Sequence, residues 1–169
     1  VSALTGATGS GRTPKATTHY PERHANLKAY SPLAHRHAPE MEMLLTRLGG
    51  AAPRVDFVPH SGPWSRGIHA TVHLDLDQPM TTDELTEHYA AFYAQAPFIS
   101  VAGEPPRLKD VVGINRCHLG IAANGRRGVI FSVIDNLTKG SSGGALHWMN
   151  RLCGFDETLG LGRPGLGWI

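Results

Sequence analysis

Residues 68–77, IHATVHLDLD, alternate apolar and polar side chains without a break. Ile68, Ala70, Val72, Leu74 and Leu76 fall on one side, and His69, Thr71, His73 and Asp75 on the other. A period of two is the signature of a half-buried strand in an antiparallel sheet. It commits the chain to a sheet with an apolar layer packed on one face. It also accounts for His69 and His73 as solvated strand residues. As a metal pair they would need a third ligand, and none is spaced to supply it.

The flanking segments fill in the rest. Residues 1–5 read as a strand, followed by GATGSGRTPKATT, a loop rich in Gly, Ser and Thr. Such a loop can let the backbone approach a ligand, or can be a plain flexible connection. HYPERHANLKAYSPL has two prolines and no period, and reads as irregular surface chain. From Pro39 the pattern becomes helical, with Met41, Leu44, Leu45 and Leu48 as the stripe and Glu40 and Glu42 in the first turn. Gly49-Gly50 ends it. VDFVPH is a short strand and SGPWSRG a loop. TTDELTEHYAAFYAQ is a helix, with Thr81 and Glu84 as a capping box and Leu85, Tyr89 and Phe92 as the buried face. FISVA is another strand. Asn124-Gly125 marks a hairpin turn, and residues 129–134, apolar on both faces, form a central strand. KGSSGGALHWMNRLCGF begins as a glycine-rich turn and continues as a helix, with Ala145, Trp148, Met149 and Leu152 inward. The tail DETLGLGRPGLGWI has no period. This order predicts an α+β fold: a mostly antiparallel sheet with helices packed on one face, in a single domain over 1–169.

Charge narrows the function classes. Sixteen Lys and Arg stand against 14 Asp and Glu in 169 residues, a balance that argues against nucleic acid. No apolar run reaches the length of a membrane span, and no membrane partner is expected. Cys117 and Cys153 lie far apart, without CxxC spacing. Both read as small core residues, and the cytoplasm is the expected compartment. The opening VSALTGATGSG is not a signal peptide, has no initiator Met and reads as a strand already under way. The chain is therefore expected to be a piece of a longer polypeptide.

One short stretch concentrates chemistry. AHRHAPE sets His35 and His37 on either side of Arg36, at the start of the Pro39 helix. The positive end of a helix dipole favours a neutral imidazole, the form that accepts a proton. Two such groups beside a guanidinium can be an acid/base site or a surface pair.

Taken in order, HRHAPEM, VPHSGPWSRGI, KDVVGINRC and IDNLTKGSSGGALHWMN…GFDETLGL resemble the signature stretches of the N-acetyl-gamma-glutamyl-phosphate reductase family. The resemblance runs from about Thr5 to about Leu161. It implies an NADP-dependent enzyme of arginine biosynthesis, related in mechanism to aspartate-semialdehyde dehydrogenase. It further implies the C-terminal substrate-binding and dimerisation domain of the semialdehyde-dehydrogenase type. On this resemblance the N-terminal NADP-binding Rossmann domain, with its glycine-rich motif and nucleophilic Cys, is expected to be absent from this chain. THYPERHANLKAY and ETLGLGRPGL are also similar to a lysine-pathway branch that reduces an aminoadipyl phosphate on a carrier protein. A non-catalytic binding or assembly module of the same fold is a further alternative.

The family chemistry is reductive removal of phosphate. A thiolate attacks an acyl phosphate, phosphate leaves, and NADPH reduces the thioester to the semialdehyde. By resemblance His37 is the catalytic imidazole, with His35 as the second candidate. Arg66, with Gly67 beside it, resembles a substrate-anion contact. His60 points to the same pocket, and Arg12 ends an anion-binding loop in which Thr5 and Thr8 stand where the family carries serine. A solvated loop charge is the alternative for Arg66. Asn136, Lys139 and Gly140 resemble the stretch that reaches the nicotinamide of NADP, with a capped strand-to-helix turn as the alternative. No metal is implied. The implied partners are a small-molecule acyl phosphate and further copies of the chain, as a dimer or tetramer. With the nucleophile missing, this piece alone is expected to be inactive.

Overall fold

A computed structural model describes residues 1–49 and 52–165. Gly50 and the last four residues of the tail, both assigned above from sequence, lie outside the described residues. The chain runs β1 (Ser2–Thr5), α1 (Tyr20–Arg23), β2 (Lys28–Ala29), α2 (His37–Gly49), β3 (Val58–Ser61), β4 (Ile68–Thr81), α3 (Thr82–Phe92), β5 (Ile99–Ala102), β6 (Cys117–Ile134) and α4 (Gly143–Leu152). Short 3-10 turns at Ala7–Ser10, Ala16–Thr18 and Leu108–Asp110 and a π-helical turn at Thr138–Ser142 join them.

The strands form a six-stranded sheet in the order β2-β3-β1-β4-β6-β5. Pairing is antiparallel for β2/β3, β1/β4 and β4/β6, and parallel for β1/β3 and β5/β6. The fold is α+β as expected, with a mixed sheet. The alternation in β4 holds: Val72, Leu74 and Leu76 pack into a core with Leu85, Leu119, Ile121 and Ile130. On the other face His73 and Asp75 are exposed, while His69 is half-buried with its ring 6.1 Å from Phe131. Between Asp75 and Met80 the register with β6 shifts, so residues 76–79 stand against Arg126. Pro79, which has no N–H to donate, falls in this bulge.

β6 is one extended run of 18 residues. Fully extended it would reach about 60 Å, yet Cys117 Sγ lies 3.4 Å from Ser132 Oγ. The run doubles back at Asn124-Gly125, where Gly125 has φ +60°. Its first limb bonds to β5 and its second to β4. On the second limb Ile130 joins the core under α3, while Val133, of opposite parity, packs with Val111 and Ile114 on the other face. That is why residues 129–134 are apolar on both sides.

The capping box that starts α3 is present: Thr81 Oγ1 accepts from the Glu84 N–H, and the Glu84 carboxylate accepts from the Thr81 N–H. Leu85 is 3% exposed, but Phe92 is 78% exposed and Tyr93 packs in its place. α4 departs further from its reading. Ala145, Trp148, Met149 and Leu152 are all exposed, and Gly143 and Asn150 are the buried positions. Asn150 turns inward because its amide donates to Glu157 O and Leu159 O, which ties the following segment to the helix. α2 buries none of its residues, so its apolar stripe lies open, with Leu48 86% exposed. Helix packing on the sheet is therefore the work of α3, not of all three helices. Cys117 is half-buried, as a core residue should be, but Cys153 is exposed at the end of α4.

Candidate active site

Two groups of site residues form, at opposite ends of β1 and β3. The first surrounds His35. Its ring meets His37 at 4.7 Å, Phe57 at 5.3 Å and Tyr30 at 5.6 Å between centroids, each edge to face. His37 is the first residue of α2, and its N–H donates to His35 Nδ1 over 3.2 Å. An Nδ1 that accepts leaves the proton on Nε2, so His35 is a neutral donor toward its open side. Partial burial, then His37 and Arg36, hold its pKa below the ordinary histidine value. A cavity of about 350 Å3 opens here, lined among others by His35, Arg36, Pro39, Glu42, Arg54 and Asp56. Glu42 accepts from the Val55 N–H and so pins α2 to the segment entering β3.

The second group is a knot of three loops. Arg66 Nη2 donates to both oxygens of Asp135, at 2.8 and 2.9 Å, and to Thr138 Oγ1 at 3.2 Å. Asp135 is wholly buried and also accepts from the N–H groups of Gly113, Leu137 and Thr138. Burial pushes its carboxyl up, but Arg66 and these three N–H groups outweigh it and hold the pKa below the usual range. Asn136 is equally engaged: its Oδ1 accepts from the Gly67 N–H at 2.7 Å, and its Nδ2 donates to Thr8 Oγ1 at 3.0 Å. Thr8 Oγ1 donates to Ser65 O. Gly67 sits at φ +103°, which favours glycine, and a Cβ there would lie 2.6 Å from Leu108 Cδ2. After the knot the chain enters α4 through the π turn, closed by Gly140 N–H to Asp135 O and Ser142 N–H to Leu137 O. Such turns recur at functional sites.

The structure thus gathers Arg66, Gly67 and Asn136, and separately His35 and His37. Ser2 pairs with Val58 and Thr5 with Ser61, so about 10 Å of strand lies between the groups. His60 is on β3 with Nδ1 buried and without a partner among the described residues. Arg12 is exposed just past Gly11, which ends the Ala7–Ser10 turn at φ +77°. Lys139 turns away from the knot: its ammonium lies 5.2 Å from the centre of the Phe98 ring. Phe98 in turn meets the edge of His147, which hydrogen-bonds Glu157 over 2.8 Å.

Sequence reasoning missed Asp135. Its signal was a carboxylate placed directly after a strand apolar on both faces, where only a buried partner can hold it. It also missed Arg23, which is 9% exposed inside a segment read as surface chain. Asn136 has its amide consumed and Lys139 faces Phe98, which leaves Gly140 open. These residues alone do not fit a dinucleotide. Burial pushes the Cys117 thiol up, against the weaker pull of Ser132 and Lys139, which disfavours the thiolate a nucleophile needs.

The family model for the semialdehyde dehydrogenase dimerisation domain matches residues 1–136. The N-acetyl-gamma-glutamyl-phosphate reductase of Moorella thermoacetica is 42% identical over 170 residues, covering 98% of this chain and 49% of that protein. That of Methanopyrus kandleri is 45% identical over 163 residues, covering 95% and 47%. The chain spans about half the length of the curated relatives it matches. Among solved structures, a probable aspartate-semialdehyde dehydrogenase from Pseudomonas aeruginosa superposes with a TM-score of 0.69 at 16% identity, over 90% of this chain and 53% of that one. Aspartate semialdehyde dehydrogenase II from Vibrio cholerae gives 0.65 at 14% identity, over 90% and 54%. These structural likenesses concern the fold.

Proposed function

The chain belongs to the semialdehyde dehydrogenase dimerisation-domain family, and from that premise we propose that it is the substrate and dimerisation half of an N-acetyl-gamma-glutamyl-phosphate reductase. The reaction is reductive dephosphorylation of an acyl phosphate to a semialdehyde, in arginine biosynthesis. What carries this reading is identity above 40% to reductases of that name over nearly the whole chain, joined to a histidine pair at the start of α2.

In this reading the nucleophilic Cys and the NADP site belong to the part of the relatives' length that this chain does not span. The thiolate forms a bond to the acyl carbon as the bond to phosphate breaks. His37 takes the thiol proton first and returns a proton later. His35, held neutral, orients His37 or donates to the substrate from Nε2. Arg66 is the weaker of the proposed anion contacts, because Asp135 already neutralises it. Gly67 and Asn136 then act by shaping the loop that holds Arg66, with His60 and Arg12 as further polar contacts on its borders. Gly140, open at the π turn, is the residue of its stretch best placed to meet a cofactor held outside these residues, and Lys139 contributes through position rather than contact. We place the enzyme in the cytoplasm, as a homo-oligomer with a small-molecule substrate. Among the described residues no helix is long and apolar enough to cross a membrane.

The test is phosphate- and NADP-dependent oxidation of the semialdehyde by the complete polypeptide, with and without His37→Ala. Activity that needs both phosphate and His37 supports the reading. An intact, folded polypeptide that shows no such activity sinks it.

A further inference from the structure

Arg23 ends α1, the four-residue helix Tyr20–Arg23. It is a charged side chain 9% exposed, yet among the described residues no carboxylate forms an ion pair with it. One arm of its guanidinium donates to Ser61 Oγ at the end of β3. Nε and Nη2 are buried without a hydrogen-bond partner among the described residues. Both atoms are donors, so what Arg23 lacks is an acceptor, and its own charge makes that acceptor an anion. A buried guanidinium without a counter-charge is strongly disfavoured, whereas a bidentate oxyanion meets the same fork well.

Tyr30 is close enough for the charge of Arg23 to act on its phenol, and the Tyr30 ring meets His35, which meets His37. Arg23 bonds Ser61 and the Tyr30 N–H bonds Pro59 O two residues earlier on β3, so Arg23 lies on the β3 edge that leads to the histidine pair. The strap between them, residues 24–34, is exposed throughout and holds Ala25, Ser31 and Leu33 at φ +52°, +44° and +57°. Left-handed backbone at three non-glycine residues is strained, and strain of this kind clusters at active sites, ligand clamps and switch regions.

We propose that Arg23 anchors an oxyanion site on the β3 edge that leads to the histidine pair, which takes a carboxylate or phosphoryl group of the substrate when the 24–34 strap shifts. Identifying the anion as part of the substrate rests on the reductase reading. The site itself, a buried fork waiting for an oxyanion, rests on the orphaned donors.

The test is the melting midpoint of the full chain in chloride, inorganic phosphate and glutarate at equal ionic strength, for the wild type, Arg23→Met and Arg23→Lys. A ligand that binds only the folded state raises the midpoint with its concentration. The wild type should rise by several degrees in at least one oxyanion, Arg23→Met should not respond, and Arg23→Lys should recover part of the response. Phosphate alone acting assigns the phosphoryl group, glutarate alone a carboxylate, and both a site open to either. In chloride Arg23→Met should melt no lower than the wild type, since it loses an uncompensated buried charge. A wild type indifferent to both anions, or an equal response in Arg23→Met, overturns the proposal. So does Arg23→Met melting well below the wild type in chloride with no anion response in either protein, which marks Arg23 as a strut. None of these outcomes depends on reductase activity, so the site and the reaction fail separately.

Discussion

Arg66 and Asp135 are joined by a single guanidinium nitrogen that bonds both carboxylate oxygens, at 2.8 and 2.9 Å, with the carboxylate wholly buried. This pair, not either residue alone, locks the loop before β4 onto the turn after β6. Asp135→Asn removes the charge that Arg66 and the Gly113, Leu137 and Thr138 N–H groups converge on. Breaking a buried pair from one side costs about 3–5 kcal/mol, which urea midpoints would read directly.

The same carboxylate sets an acid limit. Its folded pKa lies below the ordinary value, so the unfolded chain takes up the proton first. Stability from Asp135 is then fully present above about pH 4 and is lost as pH falls through the depressed folded value. A plot of unfolding free energy against pH should fall in that window, and the fall should be shallower in Asp135→Asn.

His35 should titrate below free histidine, because burial, His37 and Arg36 all disfavour its cation. Nitrogen chemical shifts across a pH series should give a midpoint under about 6.5, with the proton on Nε2. Arg36→Ala should move that midpoint upward, toward the free value.

Gly67→Ala separates a backbone role from a substrate role. The new methyl would meet Leu108 Cδ2 at 2.6 Å, at φ +103°. Strain of this kind costs about 1–3 kcal/mol. The loss should show in the melting of this chain with no substrate present.

Leu48 and Leu85 test which stripe is core. Leu48 is 86% exposed and Leu85 3%. Leu85→Ala should cost about 2–5 kcal/mol, whereas Leu48→Glu should stay within about 0.5 kcal/mol in this chain. Paired denaturation curves would distinguish them.

Local pattern carried far for some elements. The alternation in residues 68–77, the Thr81–Glu84 box and the Asn124-Gly125 turn each state their structure within a few neighbours, because backbone sterics and hydrogen bonds are satisfied locally. His37 at the first turn of α2 was legible for the same reason. The open faces of α2 and α4 were not: a period of 3.6 says which residues share a face, and says nothing of whether this chain covers it.

By itself, then, the sequence determined every strand but β2, the capped helix, the hairpin and the histidine pair, all products of interactions a few residues long. Tertiary structure alone decided that Asp135 neutralises Arg66 across 69 residues of chain, that Asn136 binds Gly67 and Thr8, and that Arg23 is buried against Ser61. Burial and counter-charge depend on which distant segments meet, and no local spacing records that meeting.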